Sequence, residues 1–363
     1  MAHQNRYFPQ SVPHPGEVLA EKLDEMAMPR NEFALRSGKP EKTIIAILKG
    51  DSSITPDMAV QFENVTRIPA HFWMNHQRLY DEYLARRRRQ SVIDRAMDWT
   101  AKFPVGEMIK KGWIASVSSL PDRTMELLAF FGFSHHEAWE EYYFNQQLKV
   151  AFRISLAQTT EPFAISAWLR RGEMQAADLD VNEYSEKKLK GVLPQLKSIM
   201  ATHPNGFFGE VQHICREVGV KVVYTPALKK APISGATRWI HDTPLIQLTN
   251  RYERYDIFWF TFFHEVGHIL KHGKKHIFLE DMDYSDKDLR MEEEANAFAA
   301  KWLLTQDEES MIKNALPLTE TDIVAFAKKF HTHPAVIVGR LQHQKVLPYH
   351  AFSHLMEAVE MGD

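Results

Sequence analysis

The chain has 363 residues, 44% of them hydrophobic and 25% charged, which is ordinary globular composition and enough for two or three domains. Its one cysteine, Cys215, excludes an intramolecular disulfide and fits a reducing compartment. A net charge of −3 excludes a surface that is basic throughout, the N-terminal stretch lacks the apolar core of a signal peptide, and no run is apolar enough to span a membrane. A protein of the cytoplasm, with no membrane partner, is the expectation.

From His14 to Leu84 apolar helical stretches alternate with short polar breaks, and no strand-like alternation intrudes, so this part reads as an all-α bundle. Arg30–Gly38 predicts a helix ended by a glycine, Lys39-Pro40 breaks the chain, and Glu41–Gly50 predicts a second helix. Ala34 is small enough for close helix approach, Gly38 permits the turn, and Ile44 and Ile47 would seat the second helix, as a helix-turn-helix requires.

The wider pattern includes His14-Pro15-Gly16-Glu17-Val18-Leu19, Ile54-Thr55-Pro56-Asp57-Met58-Ala59 and Pro69-Ala70-His71-Phe72-Trp73. With the helix pair, it resembles the HigA-type antitoxin branch of the Xre-like helix-turn-helix regulators. The resemblance implies a homodimer that binds operator DNA with the second helix in the major groove. By position it puts Glu41, Lys42, Thr43, Ala46 and Lys49 toward DNA and Lys39 near a phosphate. Pro40-Glu41-Lys42 departs from the small or amide side chains of relatives at the reading end, which leaves the bases read open.

Arg86-Arg87-Arg88-Arg89 follows directly and suits either a solvated helix face or hinge, or a stripe contacting phosphates. Residues 91 to 200 are rich in aromatics and amphipathic helices, Asp122–Phe131 among them, and hold no catalytic constellation. His135 and His136 are adjacent, so a helix cap or solvent is their expected fate. Val150–Arg153 through Ala164–Arg170 reads as a helical connector. Cys215 reads as a core thiol. Val220–Tyr224 and Pro244–Thr249 predict strands, one edge of which could take an extended peptide, with Arg238 between them in a surface ion pair.

Asp256–Leu270 is apolar on nearly every side and contains His264-Glu265-Val266-Gly267-His268. Histidines four apart share one helix face and can hold one tetrahedral metal, and Glu265 beside them can take a proton from a water polarised there. A third ligand should come from another helix, and Met291–Leu304 supplies three glutamates. Helical phase favours Glu294, which shares a stripe with Phe298 and Trp302, while Glu292 and Glu293 read as acids at a helix start and stay open as alternatives.

Together His264, Glu265, His268 and the later Glu294-Ala295-Asn296-Ala297-Phe298-Ala299-Ala300-Lys301-Trp302-Leu303-Leu304 resemble the ImmA/IrrE family of metallopeptidases, over about Phe207 to Gln344. That resemblance implies Zn2+ held by His264, His268 and the downstream glutamate, with Glu265 as general base. Thr305-Gln306 replaces the proline of many relatives, outside the metal shell. Ile323–Phe330 and Pro334–Leu341 imitate another helix-turn-helix, and in that family a similar pair is scaffold.

The expected architecture is multidomain and mainly α: a helix-turn-helix domain (1–85), a helical connector (86–205) and an α+β zincin-like domain with C-terminal helices (206–363). The expected function is a DNA-binding regulator with a zinc-dependent peptidase domain, acting on a protein substrate at a stress, phage-defence or toxin–antitoxin locus. The alternative is a HigA-like antitoxin or repressor whose zincin fold senses a ligand or grips a toxin or repressor partner without turnover. A digestive peptidase fits poorly with an attached DNA reader.

Overall fold

A computed structural model of the chain describes residues 9, 11–146, 161–229, 231, 233–249, 251, 253–275, 278–279 and 286–359. The chain divides into two compact units, 1–95 and 96–363; of the stretch 86–205 expected as a connector, 86–95 fall in the first and the rest in the second.

In the first unit α1 (Pro15–Glu25), α2 (Arg30–Arg36), α3 (Glu41–Leu48) and α4 (Pro56–Thr66) are followed by α5 (Ala70–Thr100), whose last residues enter the second unit. His14 starts α1 by a capping box: its Nδ1 accepts from the Gly16 amide at 2.9 Å and its own amide donates to Glu17 Oε1 at 3.0 Å. Gly16 is required there, because a Cβ would lie 1.9 Å from the Ile47 carbonyl oxygen. Gly38 turns the chain at φ +65° as the helix-turn-helix pattern demands, and Pro40 caps α3 in an extended conformation, where its missing N–H costs nothing. Leu19, Phe33, Ile44, Ile47, Phe62 and Trp73 form a fully buried core.

The second unit begins with an aromatic cluster. α6 (Val105–Lys110), α7 (Leu120–Phe131), α8 (His136–Glu140) and α9 (Pro162–Ala177) surround Trp99, Phe103, Trp113, Phe131, Trp139 and Trp168. His135 caps α8, accepting from the Ala138 amide at 3.1 Å. The same cluster takes in Leu228, Ile233 and Ala236, which joins it to the sheet and explains why the middle of the chain is not an independent body. Of the stretch Val150–Arg170 read as a helical connector, residues 150–160 lie outside the described residues.

α10 (Glu186–Thr202) and α11 (Phe207–Glu217) precede a sheet of strand order β1-β3-β2-β4: β1 (Lys221–Tyr224), β2 (Gly235–Ile240), β3 (Thr243–Leu248) and β4 (Phe278–Leu279). β1 runs parallel to β3, Lys221 facing Leu245, and β2 forms a hairpin with β3 through His241 and Asp242, His241 at φ +55°. β2 was not anticipated as a strand, and its outer edge is partly taken by β4 at Ala236 and Thr237. Gly235 to Arg238 of β2 are buried without a break, which hides its alternation; beside it Val222, Ile246 and Leu248 of β1 and β3 join the main core, while Val223 and Leu245 meet Ala176 of α9.

α12 (Tyr255–His272) lies against that sheet, with Trp259, Phe262, Phe263 and Val266 fully buried. At roughly 1.5–3 kcal/mol for each buried large side chain, this helix anchors the unit. α13 (Asp286–Leu303) crosses α12 closely; a Cβ on Gly267 would stand 3.3 Å from the Ala295 Cα. α14 (Gln306–Asn314), α15 (Glu320–Phe330) and α16 (Pro334–His343) build a small core of their own around Ile312, Ile323, Ile337 and Leu341, as expected of scaffold. The chain then returns to the start of α12, where the Tyr255 amide donates to the Glu357 carbonyl at 3.1 Å.

Candidate metal centre

His264 and His268 sit one turn apart on α12, each 1% exposed, with Glu265 fully buried between them in sequence. Their Nε2 atoms are 2.8 Å apart. Glu292 of α13 closes the triangle, with Oε2 3.1 Å from His264 Nε2 and Oε1 3.4 Å from His268 Nε2. Zinc held by nitrogen and oxygen at ~2.0–2.1 Å in a tetrahedron needs ligand atoms about 3.3 Å apart, so the spacing suits such an ion.

The outer contacts set the tautomers. His264 Nδ1–H donates to Asn296 Oδ1 at 2.9 Å, which leaves the lone pair on Nε2 facing Glu292. A chain runs outward from the second histidine: His268 Nδ1 lies 3.1 Å from His272 Nδ1, and His272 Nε2 lies 3.3 Å from Glu294 Oε2. Proton donation outward along that chain also leaves His268 Nε2 as an acceptor. Two imidazole lone pairs and a carboxylate then converge on one point, an arrangement that a cation stabilises.

The titration behaviour agrees. Burial holds His268 down to about 4 against the pull of Glu292, so its imidazole is neutral. Burial pushes the Glu292 carboxyl up, but its contacts with His264 and His268 outweigh that and hold it at about 2, so it is ionised. Neutral imidazoles and an ionised carboxylate are the ligand forms a metal needs.

Glu294, favoured by helical phase as the third ligand, is not at the histidine pair; its side chain is 46% exposed and its carboxylate faces His272. Glu292 occupies the place instead, and Glu293 is exposed. The error lies in the stripe used to set the phase. Phe298 and Trp302 are only partly buried, whereas Ala295, Ala299 and Leu303 form the buried face that lets α13 approach Gly267. Glu292 extends this small-residue face by one turn. Asn296 and His272 were missed as well; each stands four residues after a member of the triangle, Glu292 and His268, a spacing the sequence displays.

Glu265 is accommodated by Gly235 of β2, where a Cβ would come within 2.7 Å of Glu265 Oε1. The Thr237 hydroxyl donates to the Glu265 carbonyl at 3.1 Å. A cavity of about 1140 Å³ reaches the site, with His264, Glu292 and Asn296 on one wall and Phe260, Leu304 and Val336 among its apolar lining. That is room for several residues of an extended peptide.

Arg238 is not a surface residue. It is 5% exposed, its Nη1 donates to Glu173 Oε1 at 2.8 Å and its Nη2 to the Leu169 carbonyl, so it ties β2 to α9. Cys215 is buried, and burial pushes its thiol up to about 12, which makes it a core group rather than a nucleophile.

In the first unit, Ile44 and Ile47 are buried while Glu41, Lys42 and Lys49 are exposed on α3, with Lys39, Thr43 and Ala46 half-buried. Glu41 Oε1 lies 3.4 Å from Arg30 Nε, which offsets part of its negative charge at the reading end. Among the described residues no helix is long and apolar enough to cross a membrane.

The IrrE N-terminal-like domain of the M78 peptidase family matches residues 215–342. An HTH-type transcriptional regulator of Escherichia coli K12, YddM, itself uncharacterised, is 32% identical over 65 residues, which cover 18% of this chain and 69% of the relative. Among solved structures, an antidote protein of a plasmid maintenance system from Nostoc punctiforme is 29% identical and covers 24% of this chain and 94% of its own, with a TM-score of 0.23. A Pseudomonas aeruginosa protein solved in complex with its operator DNA is 30% identical, covering 21% of this chain and 82% of its own at a TM-score of 0.20. A HigA-family addiction-module antidote protein from Coxiella burnetii is 29% identical, covering 30% and 97%, also at 0.20.

Proposed function

Given that the chain belongs to the HTH-type transcriptional regulators and carries an IrrE N-terminal-like domain, we propose that it is an operator-binding regulator whose second unit is a zinc-dependent peptidase. It would act in the cytoplasm, as a homodimer on DNA, and control a stress, phage-defence or toxin–antitoxin locus by cutting a protein encoded or bound there. The observation that carries this reading is the buried convergence of His264, His268 and Glu292 next to Glu265, at the wall of a peptide-sized cavity.

Zn2+ held by those three side chains would supply Lewis-acid polarisation of a peptide carbonyl and acidify a water. The chain does the rest. Glu265 takes the proton of the attacking water and passes it to the leaving amine, a transfer its place beside His264 on the helix favours. Asn296 and the His272–Glu294 pair hold the two imidazoles in the ligating tautomer. The buried surroundings exclude bulk water from the reacting carbonyl. In the first unit α3 reads the operator through Lys42, Thr43, Ala46 and Lys49, with Glu41 at the reading end and Lys39 at a phosphate.

The test is cleavage by zinc-loaded protein of itself and of the products of neighbouring genes, with and without DNA and chelator. Glu265→Gln should keep zinc and abolish cleavage. Retained cleavage in that variant defeats the assignment, and DNA binding with partner capture but no cleavage leaves a regulator that uses the fold as a sensor.

A further inference from the structure

The helix-turn-helix has lysines at its reading helix but no net positive charge of its own. Residues 1–85 contain nine Lys and Arg against eleven Asp and Glu, a net charge of −2. The next ten residues contain five arginines and one aspartate, and they turn the whole first unit, 1–95, to +2. Neutralisation of phosphates supplies essentially all non-specific affinity for duplex DNA and a large share of specific affinity. A module that is net negative up to Leu84-Ala85 gains phosphate affinity from any basic stretch next to it.

The stretch of α5 that carries the arginines is bare. Seven consecutive residues, 85 to 91, are exposed, and at 3.6 residues per turn they take in every face of the helix, none of it covered among the described residues of the first unit. A helix that merely bridges solvent is stabilised by opposite charges three or four positions apart. Arg86 has such a partner in Glu82, at 2.7 Å. Arg87, Arg88 and Arg89 have no acid at three or four positions in either direction; Arg87 rests over the Tyr83 ring at 5.9 Å. Arg86 and Arg89 are themselves three apart, a like-charge pair that costs the helix a few tenths of a kcal/mol, roughly. Helix pairing thus accounts for Arg86 alone, and the planar guanidinium forks of the run suit phosphate oxygens.

We propose that Arg86–Arg89 bind the phosphate backbone of duplex DNA beside the operator and supply most of the salt-dependent affinity of the first unit, while α3 supplies the choice of sequence. This rests on the operator-binding reading of that unit.

The experiment compares the full-length wild type with two quadruple variants, Arg86–Arg89 all to Gln and all to Lys. Probes are fluorescent duplexes tiling the DNA directly upstream of the gene, and a random-sequence duplex of equal length. Dissociation constants are measured between about 50 and 200 mM salt. The Gln variant should show a plot of log affinity against log salt shallower by about 2–4 units per chain, and binding weaker by roughly 100-fold at the higher salt. The loss should be equal on specific and random duplexes, so that their ratio is unchanged. The Lys variant should keep the wild-type slope, and both variants should melt with the wild type because the positions are exposed. An operator complex whose slope survives the Gln substitutions overturns the inference and leaves the operator reading intact, as it would if the run serves an acidic protein or lipid surface instead. If the wild type binds none of the duplexes, the operator reading fails first and the inference falls with it.

Discussion

Replacing the glutamates of α13 one at a time tests the metal centre most directly, because the structure ranks them. Glu292 has both carboxylate oxygens within 3.4 Å of the two imidazole nitrogens. Asn296 touches only the far nitrogen of His264, and Glu294 is two hydrogen bonds removed from the site and 46% exposed on its side chain. Substitutions in the outer shell of a metal site cost about 10–100-fold in affinity, so Asn296→Ala should fall in that range. Glu292→Gln removes an anionic ligand itself and should exceed 100-fold, more than about 2.7 kcal/mol. Glu294→Gln acts through a screened contact and should stay within about threefold, ~0.6 kcal/mol. Competition for zinc against a chromogenic chelator gives the constants. Thermal melts provide a second measure: zinc at 100 times the wild-type dissociation constant adds about 2.7 kcal/mol to wild-type stability, but only about 0.4 to a variant that binds 100-fold more weakly. The reasoning is refuted if Glu294→Gln loses as much zinc affinity as Glu292→Gln.

Three other perturbations follow from the contacts. Gly235→Ala forces a methyl to within 2.7 Å of Glu265 Oε1 and 2.6 Å of the Thr261 methyl, so zinc content should persist while cleavage falls at least tenfold, roughly, and stability drops by about 1–3 kcal/mol; full cleavage would show that the carboxylate has other room. Arg238→Met removes one of the two arginines on Glu173 and the donor to the Leu169 carbonyl at the α9–β2 contact, and should cost about 1–3 kcal/mol in urea unfolding, less than a fully broken buried pair because Glu173 keeps Arg170 at 3.0 Å and is 27% exposed; a change under about 0.5 kcal/mol contradicts the strut role. Burial pushes the Glu309 carboxyl up, but hydrogen bonds from Lys313, Arg340 and Gln344 outweigh it and hold it at about 2, below the 4.5 of an unfolded chain. Its stabilising contribution is thus complete above pH 4.5 and lost as pH falls toward 2; after allowance for its half-exposed partners it is about 1–2 kcal/mol. The stability gap between wild type and Glu309→Gln should shrink by more than half from pH 5 to pH 3, and a gap constant with pH argues against the ion pair.

What could be read from the sequence was whatever a single helix decides. Four-residue spacing puts His264 and His268 on one face wherever α12 lies, and the Gly38 turn with Ile44 and Ile47 defines the helix-turn-helix pair within twenty residues. The third ligand depends on how near α13 comes to α12. That distance is set by Gly267, Ala295 and Ala299, and a phase taken from the largest apolar side chains points to Glu294 rather than to Glu292, which stands at the histidine pair. β2 was hidden for a related reason: its strand carries Gly235 and Arg238, one making room for Glu265 and the other bonding α9, so its residues follow tertiary partners more than strand alternation. The middle of the chain reads as a connector because its aromatics show no partner in sequence, yet they pack against Leu228 and Ala236 far downstream.

That shared aromatic cluster bears on which part of the chain can stand alone. A fragment cut to the family match, 215–342, would strip α9 from Val223, Leu245 and Gln247 and leave a greasy sheet face open to water. It would also lose the strap that returns to Tyr255. The smallest piece fit for biophysical work on the candidate metal centre therefore starts near Ala96 and runs through Val359, and shorter fragments should be recovered mainly as aggregates.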